Sequence, residues 1–258
     1  MSDRTGVTLV IPAWNEAEAI GAVLDEVPRE LVDQVLVVVG GPSDPTAEVA
    51  RRHGARVLVQ RGRGYGAACW TGAETALAEG AEIVAFLDGD YADPPAELAR
   101  VLAPLRDHRA PSAANHADAA ARVDLVLGYR DLRRFPNALP AHARLGNQLV
   151  LTLLRVLLGR GFDDLPSFKA IRADALRALD MREMTYGWTV EMLVKAARAG
   201  MRIEQIDVEY RPRLGGRSKV GGSAIGSLRA ASALLGCAVA YASWRPEPAH
   251  HWSVASGH

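Results

Sequence analysis

The sequence has few cysteines and no excess of charge of either sign. Cys69 and Cys237 are the two cysteines among 258 residues, and their separation is unlike the close spacing of metal-binding cysteines. Lys and Arg together number 30, as do Asp and Glu, so the chain lacks the basic surface typical of a general nucleic-acid-binding protein. We therefore expect reduced thiols, a cytosolic compartment and no nucleic acid among the partners.

The chain also lacks an apolar run long enough to span a bilayer. Its opening residues, MSDRTGVTLVIPAWNE, contain no apolar segment of the kind found in signal peptides. The longest late apolar run, AASALLGCAVAYASW, is shorter than the roughly 20 residues that a membrane-spanning helix needs. These absences predict a cytoplasmic protein, either free in solution or peripheral at the inner face of the plasma membrane.

Strand and helix patterns alternate through the first half of the chain. The strand patterns are apolar throughout: VTLVIP, VDQVLVVV, ARVLVQ, EIVAFLD and VDLVLGY. Such strands, separated by helices, predict an α/β fold with a mostly parallel, twisted sheet and helices on both faces. The second half is more helical, with one further strand in MRIEQIDVEYRPR and a last helix over about 223–242. We divide the chain into a main domain, 1–222, and a C-terminal helix with an irregular tail, 223–258.

Two carboxylates follow the fourth strand, in the turn Asp88-Gly89-Asp90. In an open parallel sheet, ligands bind beyond the carboxyl ends of the strands. Carboxylates one residue apart suit Mg²⁺ or Mn²⁺, which often share their ligands between protein oxygens and substrate phosphates. A solvated turn closed by Asp–backbone hydrogen bonds is the alternative interpretation. The position of the turn, at the end of a buried strand, favours the metal site.

Two glycine-rich basic segments add candidate anion sites. RGRGYGAA follows the third strand and opens a helix, so its backbone N–H groups and arginines suit a phosphate. A dinucleotide-binding loop would instead follow the first strand, where PAWNE has no glycine. GGRSKVGG, with Arg213 just before it and Arg217 and Lys219 within it, is either an anion-binding flap or a solvated loop.

Together these motifs resemble the family 2 glycosyltransferases with the GT-A fold, and among them the polyprenyl-phosphate (dolichol-phosphate) mannosyl- and glucosyltransferases. The resemblance covers residues 6–222. It rests on the order and spacing of VIPAWNEAEAIGAVL, RGRGYGAACWTG, FLDGDYADPP, LVLGYR, DDLPSFKAIR, YGWTVEMLVKAARAG and RLGGRSKVGG.

The resemblance implies transfer of a hexose, with inversion, from a UDP- or GDP-linked sugar to an acceptor, expected to be a polyprenyl phosphate at the membrane surface. Asp88 and Asp90 would hold Mg²⁺ or Mn²⁺ on the donor diphosphate. The nucleotide-sugar pocket would comprise Pro12, Ala13, Trp14, Glu16, Arg61, Gly64, Asp88, Gly89 and Asp90. The acceptor phosphate or donor diphosphate would meet Arg130, Arg144, Arg213, Ser218 and Lys219. Asp90, Glu191 and Arg213 are the expected catalytic residues.

The role of Glu191 is open among three interpretations. It is a general base, a ligand of a sugar hydroxyl, or a helix residue paired with Lys195. A phosphate acceptor is already anionic and needs no strong base, whereas a hydroxyl acceptor needs one, for which Glu191 and Asp93 are candidates.

One departure from the family pattern concerns the donor. Val39 and Gly40 stand where the family usually carries an acidic pair or Asp-Asn after the second strand. Asp44 matches the last Asp of that motif, but it also suits a helix cap. This departure motivates a second hypothesis, a non-catalytic paralogue that binds nucleotide-sugars. A nucleotidyltransferase is a third, disfavoured because no glycine-rich basic loop follows the first strand.

Overall fold

The structure is a computed structural model that describes residues 6–106, 122–131, 134–135, 141–214 and 224–246. Seven strands form one sheet: β1 (Val7–Ala13), β2 (Gln34–Val39), β3 (Arg56–Val59), β4 (Ile83–Phe86), β5 (Leu125–Arg130), β6 (Lys169–Arg172) and β7 (Ile203–Val208). Their spatial order is β3-β2-β1-β4-β6-β5-β7. The α/β class and the mostly parallel sheet predicted from the sequence are confirmed.

The strands run parallel except at one place. β1 pairs in parallel with β2 and β4, β2 with β3, and β5 with β7. β6 is antiparallel to both of its neighbours, β4 and β5. Strand β6 was not predicted, because its four residues, KAIR, begin and end with a charged side chain. Lys169 is nevertheless fully buried, which a sequence pattern alone does not indicate.

Helices cover both faces of the sheet, as the continuous apolar strands predicted. They are α1 (Ile20–Glu26), α2 (Thr46–Arg52), α3 (Tyr65–Ala78), α4 (Leu98–Arg106), α5 (Ala141–Leu158), α6 (Ala173–Leu179), α7 (Trp188–Arg198) and α8 (Ala224–Tyr241). Of these, α6 was not predicted. In the described part of the chain, no helix combines the length and the apolar character that a membrane span requires.

Alternate residues of each strand enter two separate cores. In β1, Val10 packs with α3, α5, α7 and α8, whereas Leu9 packs on the other face with α1, α2 and α4. Cys69 and Cys237 are buried free thiols in the first core, and burial raises the pKa of each to about 12. Both are therefore protonated packing residues.

The C-terminal helix packs on the main domain. Cys237 and Ala238 of α8 belong to the core that includes α7. The ammonium of Lys195, on α7, lies 4.7 Å from the ring centroid of Tyr241 and 5.2 Å from that of Trp244. These contacts attach the helix that follows residue 222 to the main domain. The domain boundary at 222 stays a prediction.

The glycines of two helices make a matched test of packing. A Cβ on Gly66, in the first turn of α3, would lie 2.3 Å from the carbonyl oxygen of Glu183, whereas one on Gly236 would have no atom within 4 Å. We expect Gly66→Ala to lower the free energy of unfolding by about 1–3 kcal/mol through overpacking. Gly236→Ala should leave it unchanged or raise it by about 0.5–1 kcal/mol. Urea unfolding measures both, and equal losses would contradict the packing described.

Candidate active site

Three loops meet at the carboxyl edge of β1, β2 and β4. After β1, the backbone N–H of Asn15 donates to Asp44 Oδ2 at 3.1 Å, and that of Glu16 donates to Thr46 Oγ1 at 2.9 Å. Asp44 also accepts the N–H of Thr46 at 3.0 Å, so it caps α2 as predicted. A Cβ on Gly89 would lie 3.0 Å from Cβ of Ala13, which places the loop after β4 against the loop after β1.

The Asp88-Gly89-Asp90 turn presents its two carboxylates differently. Asp88 is half-buried, and its Oδ1 accepts the hydroxyl of Tyr65 at 3.1 Å. Asp90 is buried; its Oδ1 accepts the N–H of Ala92 at 3.0 Å and its Oδ2 lies 2.8 Å from Arg213 Nη2. The next residue, Tyr91, has a left-handed backbone with φ of 68°. This bend turns the chain back after the two carboxylates.

Negative charge accumulates at this turn. The pKa of Asp88 is raised to about 7. Burial is the largest cause, the nearby carboxylates of Asp90 and Asp93 add to it, and Lys169 opposes it. Burial also raises the pKa of Asp93 to about 6, where Asp90 adds to the effect and Arg130 opposes it. A bound cation would relieve the repulsion among these carboxylates.

The carboxylates of Asp88 and Asp90 fit a cation that takes its remaining ligands from a substrate. Among the described residues, no group of three or more His, Cys, Asp and Glu side chains is arranged to hold a metal ion. Asp88 and Asp90 alone would leave most positions of an octahedral ion to water and other oxygens. Mg²⁺ in phosphate-handling sites is bound in that way, by one or two carboxylates and the substrate phosphates.

Residues 211–214 run beside the Asp88-Gly89-Asp90 turn. The N–H of Arg211 donates to the carbonyl of Ala92 at 2.8 Å, and the N–H of Leu214 donates to the carbonyl of Asp90 at 3.3 Å. Arg211 is itself held by Glu26, with Nη1 2.8 Å from Oε2, and it lies 5.0 Å from the ring of Tyr91. This segment positions Arg213, one of the predicted residues. Ser218 and Lys219 lie outside the described residues.

Arg130 is already engaged by a buried carboxylate. Its Nε and Nη2 donate to Asp164 at 2.6 and 3.1 Å, and its guanidinium lies 5.4 Å from the ring of Tyr210. Asn147 of α5 also donates to Asp164, at 3.1 Å. Burial favours a higher pKa for Asp164, but its ion pair with Arg130 outweighs this and lowers it. Arg144 is partly buried in the first turn of α5.

The contacts of Glu191 support the third interpretation, that of a helix residue paired with Lys195. Its carboxylate is fully buried, and Oε1 lies 2.7 Å from Nζ of Lys195. Oε1 and Oε2 also accept the N–H of Arg182 at 2.9 and 3.1 Å, and Oε2 accepts that of Glu183 at 2.7 Å. With both oxygens occupied, Glu191 does not fit the expected role of a base or a sugar ligand. It instead fixes the start of α7 to the preceding loop.

The glycine-rich segment does not form the predicted phosphate cradle. The N–H groups of Gly66 and Ala67 donate to the carbonyls of Thr185 and Met184, at 3.1 and 2.8 Å. Gly64 has φ of 112°, and a Cβ there would lie 2.4 Å from the carbonyl oxygen of Met184. Arg61 forms an exposed ion pair with Glu74 at 2.8 Å. The glycines thus allow close packing of α3 on residues 183–185.

The departure at Val39 and Gly40 has a structural counterpart. Val39 is fully buried in the core that contains Ile11 and Ala13. A Cβ on Gly40 would lie 2.8 Å from Cδ1 of Trp14, whose side chain is 58% exposed. A carboxylate at 40 would therefore collide with the indole as it lies here. Pro12 and Glu16 are buried beside this exposed ring.

Sequence reasoning missed several residues that support the carboxylates. Ser167 donates to Asp93 Oδ2 at 2.9 Å, and Tyr65 donates to Asp88. Lys169 is buried below them, donating to the carbonyls of Pro166 and Ser167 at 2.8 and 3.1 Å and to Thr189 Oγ1 at 3.1 Å. A lysine between apolar residues in FKAIR was the one available signal.

Comparison with known proteins identifies the family. The sequence profile described as glycosyl transferase family 2 matches residues 8–179, about two thirds of the chain. The protein is a family 2 glycosyltransferase. An uncharacterized glycosyltransferase of Mycobacterium tuberculosis is 37% identical over 225 residues, covering 86% of this chain and 93% of that protein.

Other relatives of this glycosyltransferase have names that specify an acceptor. A dolichyl-phosphate hexose transferase of Haloferax volcanii is 30% identical, covering 85% of this chain and 90% of its own. An undecaprenyl-phosphate mannosyltransferase of Micrococcus luteus is 29% identical, with coverage of 85% and 89%.

Solved structures confirm the GT-A fold. Glucosyl-3-phosphoglycerate synthase of M. tuberculosis, in complex with Mn²⁺, UDP and glucosyl-3-phosphoglycerate, aligns with a TM-score of 0.70. The alignment covers 93% of this chain and 81% of that protein at 23% sequence identity. At that identity the likeness concerns the fold.

The raised carboxylate pKa values make stability depend on pH. The folded, metal-free protein holds protons on Asp88 up to about pH 7, where the unfolded chain has lost them. The Asp88 contribution therefore destabilises the fold as pH rises from the ordinary aspartate range through 7. We expect Asp88→Asn to raise the melting temperature of the metal-free protein more at pH 8 than at pH 5.

Thermal unfolding with and without Mn²⁺ measures this effect. Mn²⁺ should raise the melting temperature of the wild type at pH 8 and leave that of Asp88→Asn unchanged. A difference between the two proteins that stays constant from pH 5 to pH 8 would contradict the electrostatic account.

Proposed function

We propose that this glycosyltransferase moves a hexose from a UDP- or GDP-linked sugar to a polyprenyl phosphate, using Mg²⁺ or Mn²⁺ held by Asp88 and Asp90. The observation that carries the proposal is the cluster of Asp88, Asp90 and Asp93 at the sheet edge, with Arg213 against it. The structural relatives crystallised with Mn²⁺ and UDP-glucose support the donor class. The names of two sequence relatives support the acceptor class.

The donor would lie between the Asp88-Gly89-Asp90 turn and the loop after β1. An ion held by Asp88 and Asp90 would neutralise the charge that develops on the leaving diphosphate. The exposed ring of Trp14 over Gly40 offers a flat surface to the nucleoside base. Arg213, which is partly exposed, supplies further donors to the diphosphate.

The acceptor needs cations more than it needs a base. A phosphate monoester is already an anionic nucleophile, and its attack would invert the anomeric carbon. Glu191, with both oxygens occupied, is not required for that step. The groups proposed to meet the acceptor phosphate or donor diphosphate are Arg130, Arg144, Arg213, Ser218 and Lys219. A lipid acceptor would bring the enzyme to the cytoplasmic face of the membrane.

Arg213 changes partners in this proposal. Its Nη2 lies 2.8 Å from Asp90 Oδ2, an oxygen that a cation on Asp90 would also approach. A cation held by Asp90 would therefore compete with the guanidinium for the same carboxylate. Arg213 would then be available to pair with the donor diphosphate.

Arg213→Ala tests this exchange. Without a nucleotide, the variant should bind Mn²⁺ about two- to fivefold more tightly, because a partly exposed ion pair contributes about 0.5–1 kcal/mol. Its kcat should fall by about 10²–10³, because a donor to the developing charge is lost. Manganese electron paramagnetic resonance and a transfer assay measure the two effects.

The control for Arg213→Ala is Arg52→Ala, which removes an exposed arginine of α2. The control should match the wild type in both measurements. A variant at 213 that binds Mn²⁺ more weakly than the wild type would contradict the exchange.

Donor binding is the measurement that tests the function most directly. Calorimetry with UDP, GDP and their hexose derivatives, in Mn²⁺ or in chelator, should show metal-dependent binding of one nucleotide. Asp90→Ala should abolish the metal dependence, whereas Asp25→Ala, at an exposed carboxylate paired with His53, should not. Failure of every nucleotide to bind would favour the non-catalytic paralogue that Val39 and Gly40 suggested.

The acceptor is identified by comparing sugar transfer to two candidate phosphate acceptors. With the bound nucleotide-sugar, we expect transfer to undecaprenyl phosphate in detergent and not to 3-phosphoglycerate. Transfer to 3-phosphoglycerate alone would replace the lipid acceptor with a soluble one. Release of pyrophosphate from a nucleoside triphosphate would instead indicate a nucleotidyltransferase.

A further inference from the structure

The exposed apolar side chains of the described residues are concentrated on two helices. Large apolar residues with high exposure number eight, and four of them belong to α5 and α8. Leu145, Leu149 and Val156 of α5 are 64%, 52% and 76% exposed, and Val239 of α8 is 60% exposed. The spacing of four and seven residues places the three α5 side chains in one stripe along the helix. We call these four residues the α5–α8 face.

The two helices present this face side by side. A Cβ on Gly146 of α5 would lie 3.2 Å from Cβ of Ala231 of α8, so the helices are in contact. Each buries its other side in the same core, through Leu154 on α5 and Cys237 on α8. Their outward sides therefore form one surface. An apolar surface of this kind on a soluble domain indicates a docking site.

Charge is segregated in the same part of the chain. The segments 132–162 and 210–246, which include both helices, contain no Asp or Glu. They carry eleven basic residues: Arg133, Arg134, Arg144, Arg155, Arg160, Arg211, Arg213, Arg217, Lys219, Arg229 and Arg245. Three of these, Arg134, Arg211 and Arg213, pair with carboxylates from outside the two segments. With 30 basic and 30 acidic residues in all, the rest of the chain holds 30 acidic residues against 19 basic ones.

Apolar residues among cations match an anionic lipid surface. Amphipathic helices bind at such a surface by inserting their apolar side chains while Arg and Lys attract the headgroups. Arg155 is exposed next to Val156, and its long stem can reach the headgroup region. A second copy of the chain is a poorer partner, because two cationic surfaces would be brought together.

The α5–α8 face and the candidate active site lie on opposite sides of α5. Asn147 lies on α5 between Leu145 and Leu149, but it points to the opposite side and donates to Asp164 at 3.1 Å. Asp164 in turn holds Arg130, which interacts electrostatically with Asp93 of the carboxylate cluster. One helix thus separates the apolar stripe from the site. We propose that the α5–α8 face docks on an anionic bilayer and holds the site beside it.

This inference deepens the proposed function, on which its link to a lipid acceptor rests. The docking itself is measurable without donor or acceptor. Full-length protein is floated with vesicles of phosphatidylcholine alone, or of phosphatidylcholine with phosphatidylglycerol, in the absence of any polyprenyl phosphate. We expect binding to the phosphatidylglycerol vesicles, weakened by salt.

Three variants locate the surface. Leu149→Glu with Val156→Glu should lower the partition coefficient more than tenfold, because it removes apolar contacts and adds negative charge. Arg155→Glu should lower it at least fivefold, since each basic residue near the surface contributes about 1 kcal/mol. The control is Val59→Glu, at a 45% exposed position on edge strand β3, which should bind as the wild type does. Circular dichroism checks that each variant is folded.

Three outcomes would overturn the inference. One is equal binding of the wild type to both kinds of vesicle, and another is equal loss in the double variant and in Val59→Glu. The third is a dimer that the double variant dissociates with no change in vesicle binding, which would assign the face to a second copy. If docking is found but undecaprenyl phosphate receives no sugar, the face stands and the acceptor proposal fails.

Discussion

The crowding of carboxylates at one edge of the sheet is the constraint on which the site depends. Asp90 and Asp93 lie close enough to Asp88 to help raise its pKa, and Asp90 likewise helps raise that of Asp93. Such a cluster persists only if cations surround it. Lys169 below it and Arg213 beside it are the protein's own cations, and a divalent ion with a donor diphosphate completes the balance in the proposed function.

The antiparallel strand β6 places Lys169 beneath the carboxylates. In β6, Lys169 pairs in register with Phe86, the last residue of β4. A strand running parallel to β4 would bring its final residue to this edge, whereas the reversed strand brings its first. Lys169 therefore lies under the turn that begins two residues after Phe86. The pKa of Lys169 is lowered by burial, and the nearby carboxylate of Asp88 opposes that shift.

Arg213, the cation beside the carboxylates, is also positioned by the backbone that carries it. Glu26 fixes Arg211, the backbone of residues 211–214 bonds to that of Asp90 and Ala92, and Arg213 then reaches Asp90. A short stretch of backbone thus couples the Asp88-Gly89-Asp90 turn to the residues that precede the glycine-rich basic segment. The helices α5 and α8, which carry the proposed lipid surface, are in contact with each other at Gly146 and Ala231.

Local sequence patterns were sufficient to predict the fold class, the family and the position of the carboxylate turn. Continuous apolar strands, helical spacing and Asp-x-Asp after β4 are local patterns, and parallel strands bring their carboxyl ends to one edge. The sequence did not indicate which polar side chains are already bound to other groups of the protein. Glu191 was indistinguishable from a catalytic carboxylate until its contacts with Lys195 and the 182–183 backbone were known.

The roles of the glycines in RGRGYG and at position 40 became clear from the folded chain. Gly64 and Gly66 admit the carbonyls of residues 183–185, and Gly40 admits the ring of Trp14. A glycine has the same sequence signal whether its open space receives a phosphate, a backbone or an indole. The partner comes from a distant part of the chain, and its identity is a property of packing rather than of the local sequence.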